Sequence, residues 1–396
     1  VLLGVVSLLT DTSSEMMVPL LPVFLTSVLG AGALALGWIE GLADATASVL
    51  KLVAGRWSDR SSRRRPLVVA GYTLSSAARP VVAAATAPWH LLAIRVLDRV
   101  GKGLRSSPRD ALIAGSVPAE RRGTGFGLHR AMDHAGAIVG PLLATAYLVF
   151  WSIDLRTLFW LTAIPGAASV AVLVLGVREP DEQPSPTASG SVPAPDPAHS
   201  EPPLKSRDPR LLRLLIPLGL FTLGNASDVF LLLKAGEERA SITTLPLLWV
   251  GLHVVKSATA VPGGRLSDRW GRTPTLVLGW CVYAAIYAGL AFAENRIAVG
   301  ALFVTYGLYH GLTEGPERAW VAELVPSRRW GTGFGWYHLT LGLLTLVASV
   351  LFGALWEVFG SRTAFLTSGG LALAAVAALL LLRPGRPQFD TAGAPD

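Results

Sequence analysis

Gly55-Arg56-Trp57-Ser58-Asp59-Arg60, followed by Arg63-Arg64 and Pro66, returns later in the chain as Gly264-Arg265-Leu266-Ser267-Asp268-Arg269-Trp270-Gly271-Arg272, followed by Pro274. A second pair keeps the same order: Arg121-Arg122-Gly123-Thr124-Gly125-Phe126-Gly127 is answered by Arg329-Trp330-Gly331-Thr332-Gly333-Phe334-Gly335. Residues 55 and 264 lie 209 apart and residues 123 and 331 lie 208 apart. Two long matches in one register mark a duplicated unit of about half the chain. Internal duplication of a helical unit is a common architecture of membrane proteins that move solutes.

Between these segments the chain is apolar. Of its 396 residues 51% are hydrophobic and 15% charged, and the mean hydropathy is +0.49. A soluble chain carries about 25% charged residues. Blocks of about twenty apolar residues are long enough to cross a hydrocarbon core of roughly 30 Å. Breaks at charge, Gly and Pro clusters predict twelve spans, at 2–29, 35–55, 66–87, 90–113, 124–150 and 156–177, then 210–233, 243–263, 273–293, 296–320, 332–356 and 362–383. The expected fold is therefore an all-α polytopic membrane protein with a six-helix bundle over 1–177 and a second over 210–383. Residues 178–209, with Ser185-Pro186 and Pro193-Ala194-Pro195-Asp196-Pro197, read as a flexible linker. Residues 384–396 read as a tail.

The net charge of +7 does not signal a nucleic-acid partner. The basic residues cluster in short loops between apolar blocks, as at Arg60, Arg63, Arg64 and Arg65 and at Arg328 and Arg329. Loops of this kind stay on the cytoplasmic side. The expected topology has even-numbered helices leaving to the cytoplasm, with both termini and the linker inside, in a bacterial inner membrane. The first apolar block lacks a basic flank and runs into Asp11 and Glu15, so it reads as a retained span. Cys281 is the one cysteine, which excludes a disulfide framework or a thiolate cluster. There is no nucleotide-binding loop and no nucleophile elbow, so neither an enzyme nor ATP-driven transport is expected.

The G-x-x-x-D-R-x-x-R-R segment after the second span, repeated after the eighth, resembles the signature of the major facilitator superfamily. The first copy has Ser62 where the family prefers glycine, and the second keeps Gly271. The resemblance implies alternating access about a central site, no cofactor beyond a proton gradient, and a functional monomer. It also implies that Gly55, Asp59, Arg60 and Arg63, with Gly264, Asp268, Arg269 and Arg272, form gating loops. Asp59 would cap helix 11 near Gly331, and Asp268 would cap helix 5 near Gly123. Gly136, Gly140 and Pro141 resemble the helix-5 motif of the family's antiporters, which points to the proton-linked exporter and drug-antiporter branch.

Ionisable groups inside a bilayer cost several kcal/mol unless they face water or a partner, so each is a functional candidate. For proton coupling or cavity contact these are Asp11 and Glu15 on helix 1, Glu40 and Asp44 on helix 2, Arg95, Asp98 and Arg99 on helix 4, and Arg130, Asp133 and His134 on helix 5. Arg95 and Arg99 both fit the family's helix-4 arginine, and pairing of helix 4 with helices 1 and 2 is the structural alternative. Lys51 shares a helix-2 face with Glu40 and Asp44, and Lys102 and Arg105 extend the helix-4 stripe. His129 points away from the Arg130, Asp133 and His134 face. The substrate-cavity candidates of the second half are Asp228, His253, Lys256, His310 and Glu314, with His338 as a further candidate. His310 with Glu314 is too few ligands for a transition-metal site.

With the 208 offset, Arg95, Asp98 and Arg99 correspond to Phe303, Tyr306 and Gly307, and Gly140-Pro141 to Ala348-Ser349. Proton coupling is therefore expected mainly in the first half and the substrate wall mainly in the second. The expected activity is proton-coupled export of a small organic solute or drug. The alternatives are a symporter or uniporter of an organic anion, motivated by Arg79, Arg95, Arg99 and Arg130, and more remotely a membrane sensor.

Overall fold

The computed structural model describes residues 1–21, 24–31, 33–61, 64–151, 154–177, 209–228, 230–231, 234–235 and 244–384. These are helical with no strand among the described residues. The elements are α1 (Leu2–Glu15), α2 (Ala33–Arg60), α3 (Arg65–Val81), α4 (Pro88–Gly115), α5 (Arg122–Phe150) and α6 (Leu155–Leu161 and Ala163–Gly176). The second half holds α7 (Pro209–Gly224), α8 (Thr244–Trp270), α9 (Arg272–Phe292), α10 (Arg296–Thr305 and Gly307–Leu324), α11 (Trp330–Phe359) and α12 (Ser361–Leu382). Nearly all of the proposed linker and tail lies outside the described residues.

Local chemistry sets the helix ends. Pro88 opens α4, where its missing N–H would have been unpaired in any case. Asn295 caps α10 by accepting from the Ala298 amide at 2.8 Å. Asp154 caps α6, accepting from the Thr157 hydroxyl and from the Arg156 and Thr157 amides, and these bonds hold its carboxyl below the usual range. The α8–α9 joint turns at Gly271 with φ +95°, a conformation that a side chain strains. The sequence places the Gly55–Arg60 and Gly264–Arg269 segments in loops, whereas they form the last turns of α2 and α8. Their arginines satisfy the final carbonyls of a helix as readily as a loop. The predicted first span is also not one straight helix: past Glu15 it continues as a 3₁₀ turn at Val18–Leu20 and a π turn at Phe24–Val28.

The packing obeys the repeat. Within the first half α1 packs on α5 and α6, α4 on α2 and α3, and α3 on α6; adding six to each number gives the packing within the second half. Between halves α2 packs on α11, and its equivalent α8 packs on α5. The bundle is thus pseudo-two-fold, with two equivalent seams. Its outer surface is apolar, with Leu175, Leu381, Phe150, Ile297 and Val358 at least 70% exposed. A soluble protein hides such a surface, and a bilayer covers it. Among the described residues six helical stretches, including Leu155–Gly176, Ser327–Phe359 and Ser361–Leu382, are long and apolar enough by themselves to cross a membrane.

Candidate functional site

At one end of the two seams the halves are clasped twice. Asp268 at the end of α8 reaches the amino end of α5: its carboxylate accepts from the Gly123 amide at 2.8 Å, the Thr124 amide at 2.8 Å and the Thr124 hydroxyl at 2.6 Å. Asp59 at the end of α2 does the same at the amino end of α11, accepting from the Gly331 amide at 2.8 Å and the Thr332 amide at 2.6 Å. Free N–H groups and the helix dipole make both amino ends anion sites. The approach requires glycine on both sides, because a Cβ at Gly55 would fall on the Gly331 carbonyl and one at Gly264 on the Gly123 carbonyl.

Among the described residues the clasps differ in support. Arg272 holds Asp268 at 2.7 Å and Glu323 at 2.6 Å. Arg64 stands 3.9 Å from Asp59 and donates to the Ser327 carbonyl. Arg60 and Arg269 are exposed beside the clasps. Arg63 lies outside the described residues.

Deeper in the seam, Asp110 of α4 is fully buried, with His338 of α11 at 2.8 Å, Arg318 of α10 at 3.7 Å and Arg109 at 3.0 Å. Beside it Tyr337 donates to Glu317 at 2.7 Å. Glu317 and Arg318 are both buried inside the bundle.

About three turns above the clasp, Glu314 of α10 gathers groups from both halves. His310 Nδ1 is 2.9 Å away, while His134 Nε2 and Arg130 of α5 are at 3.6 and 3.7 Å. Arg130 also pairs with Asp133. The second-half wall carries Asp228, just past the end of α7. It accepts from Lys256 at 2.8 Å and from the Tyr306 hydroxyl at 3.0 Å. His253 lies between the rings of His134 and Trp249, tilted against both, and neither of its ring nitrogens has a hydrogen-bond partner among the described residues.

His129 corrects its sequence reading. It is buried against Asp133, with Nδ1 3.6 Å from the carboxylate and Nε2 3.1 Å from the Ser7 hydroxyl, while His134 turns to the other half. The spacing of four between residues 129 and 133 was the available signal.

The helix-4 stripe divides. Arg95 and Asp98 are each 1% exposed, inside the first half, where Asp98 pairs with Arg79 at 3.1 Å, Arg99 at 3.0 Å and Arg95 at 3.6 Å. Arg99 also reaches Asp44 of α2 at 2.7 Å. Arg105 donates to Ser75 and lies over the Tyr72 ring. Helix 4 therefore pairs with α2 and α3; among the described residues its arginines form no ion pair with the helix-1 acids, although the charges of Arg95 and Arg99 act on Glu15 and that of Arg105 on Asp11. The Glu40 side chain lies outside the described residues.

Gly136 and Gly140 receive α1. A Cβ at Gly136 would lie 2.9 Å from Asp11 Cβ, and one at Gly140 2.9 Å from Glu15 Cβ. The two acids, four apart, thus rise from the contact surface made by two glycines four apart. The Asp11 and Glu15 side chains take no hydrogen bond or ion pair from any described residue, and the same holds for Lys51 and Lys102. Among the described residues no group of three His, Cys, Asp or Glu side chains is placed to hold a metal ion.

A duplicated bundle with a lipid-exposed apolar surface, clasped across its halves and charged inside, defines a membrane transporter. The model of the Major Facilitator Superfamily matches residues 3–252 and 218–395. The chain belongs to that superfamily. It is 32% identical over 387 residues to an uncharacterised MFS-type transporter of Methanocaldococcus jannaschii, covering 96% of this chain and 93% of the relative. It is 30% identical over 142 residues to the multidrug resistance protein MdtH of Photorhabdus laumondii, covering 36% and 34% of the two chains. The crystal structure of the human organic anion transporter MFSD10 superposes with a TM-score of 0.79 at 17% identity, covering 96% of this chain and 98% of that one.

Proposed function

We propose that this transporter works by alternating access and exports a small organic solute in exchange for protons. The observation that carries the reading is the pair of equivalent clasps, Asp59 on α11 and Asp268 on α5, closing one end of a charged interior. With the arginine-rich loops inside, that end is cytoplasmic and the conformation faces outward. The termini then lie in the cytoplasm of a bacterial cell, and one chain is the functional unit. Asp11 and Glu15 are the acids we assign to the proton, since neither forms an ion pair with a described cation. The partial likeness to a multidrug resistance protein supports export of an organic compound.

A second reading, movement of an organic anion, is favoured by Lys51 and Lys102, which form no ion pair with a described acid. Proteoliposomes separate the two. An imposed inward proton gradient should drive loaded substrate outward, and Asp11→Asn with Glu15→Gln should remove the gradient dependence. Transport indifferent to the gradient in the unmodified protein would sink the coupling.

A further inference from the structure

The ionisable groups near the middle of the spans sort into two sets. The larger set is neutralised in place: Asp98 by three arginines, Asp133 by Arg130, Asp228 by Lys256, and Glu314 by its histidines and Arg130. The smaller set is Asp11 and Glu15 on α1, Lys51 on α2 and Lys102 on α4, whose side chains have no hydrogen-bond or ion-pair partner among the described residues.

Lys102 is exposed and the other three are half-buried. The Lys102 charge acts on Asp11, Glu15 and Lys51 alike. Helix α1 is seated on α5 and α6, and α4 is seated on α2 and α3. The acids and the amines therefore approach from separately anchored helices, within electrostatic reach but beyond contact. Opposite charges attract, so a gap between them is maintained by the packing behind each helix. The Gly136 and Gly140 seats of α1 are one such anchor.

A ligand filling that gap meets both signs. A simple cation satisfies Asp11 and Glu15 but is repelled by Lys102 and Lys51, and a simple anion meets the reverse. A molecule carrying both charges satisfies each pair and is repelled by neither. We propose that the substrate is a small zwitterion, its cationic group held by Asp11 and Glu15 and its anionic group by Lys102, with Lys51 behind it. The two observations that favour an organic cation and an organic anion then describe the two ends of one molecule. This inference rests on the transport reading of the cavity and is independent of the coupling ion.

The test uses the full chain in nanodiscs and matched compounds that differ in charge alone: phenylalanine, phenethylamine and hydrocinnamate, with the corresponding sets built on leucine and alanine. Thermal stabilisation reads binding. In at least one set the zwitterion should bind at least about tenfold more tightly than either single-charge relative. Lys102→Ala should move that preference toward the amine, and Asp11→Asn with Glu15→Gln should move it toward the acid.

A second measurement needs no substrate. In a Cys281→Ala background, Lys102→Cys is labelled with cationic and anionic methanethiosulfonates. The cation-to-anion rate ratio should fall at least about threefold when Asp11→Asn and Glu15→Gln are added. An unchanged ratio, or no set in which the zwitterion outbinds its relatives, overturns the proposal. A zwitterion preference that persists while the proton gradient fails to drive transport removes the coupling reading alone.

Discussion

Asp110 and Arg318 occupy equivalent positions of the two repeats, 208 residues apart, and their side chains meet at 3.7 Å. A residue touches its own repeat equivalent only beside the pseudo-two-fold axis, so this pair locates the axis between α4 and α10. The duplication has placed opposite charges at one position, which turns a self-repelling contact into an attractive one. His338 at 2.8 Å and Arg109 at 3.0 Å complete the neutralisation of Asp110. Breaking a buried pair by removing one member leaves an unpaired charge, a cost of about 3–5 kcal/mol.

Asp110→Asn and Arg318→Gln are therefore expected to be non-additive. In a double-mutant cycle on thermal or denaturant stability their coupling should be at least about 1 kcal/mol. Single effects that add within about 0.5 kcal/mol would show that the axis pair does not hold the halves together.

The two clasps should open unequally. Each removed bond between a carboxylate and a backbone amide is worth about 1.5–3 kcal/mol, and Asp268 also loses its contact with Arg272. Spin labels at the exposed pair Arg60 and Arg328 report the first clasp, and labels at Arg269 and Glu120 report the second. Asp268→Asn should lengthen its distance distribution more than Asp59→Asn lengthens the other. Equal or reversed responses would remove Arg272 and Glu323 as the source of the asymmetry.

The architecture was legible in the sequence because it depends on repetition and apolar length, which one chain displays directly. The helix-capping aspartates were legible through the family resemblance, and their glycine partners through the second repeated segment. The interior was less so. Arg95, Asp98 and Arg99 form a clear stripe on α4, but periodicity does not say which neighbour a face meets, and Arg79 of α3 takes the partnership that Asp11 and Glu15 seemed placed to fill. The division of labour between halves also weakens, since Glu314 of the second half sits among Arg130 and His134 of the first. The opposite charges of Asp110 and Arg318 at one repeat position were readable from the 208 offset, had it been applied to every charged residue.

The Gly140 seat gives a local packing prediction. A Cβ there would lie 2.7 Å from the Thr12 carbonyl and 2.9 Å from Met16 N, backbone atoms that move only with α1 as a whole. Gly140→Ala should therefore destabilise the protein by about 1–3 kcal/mol and impair transport. Gly370→Ala, where a Cβ meets nothing within 4 Å, should be neutral or stabilise by roughly 0.5–1 kcal/mol. The comparison of two identical substitutions in helices isolates the α1 seat. Equal stability changes would mean that α1 is free to shift.

Glu314 and Asp228 should separate when each is neutralised. The sequence assigns both to the substrate wall, and the structure gives them different company. Asp228 is held within its own half by Lys256 and Tyr306. Glu314 joins α10 to α5 through His134 and Arg130, so its charge contributes to how tightly the halves meet. A carboxylate that bridges two moving bodies links its protonation to their equilibrium, because the proton removes attraction in one conformation and not in the other. Glu314→Gln is therefore expected to flatten the pH dependence of exchange. Asp228→Asn is expected to keep that dependence and change which compounds compete. Exchange measured over the pH range for both variants decides it: a flattened profile for Asp228→Asn with an unchanged one for Glu314→Gln would place the switch in the second half's own pair.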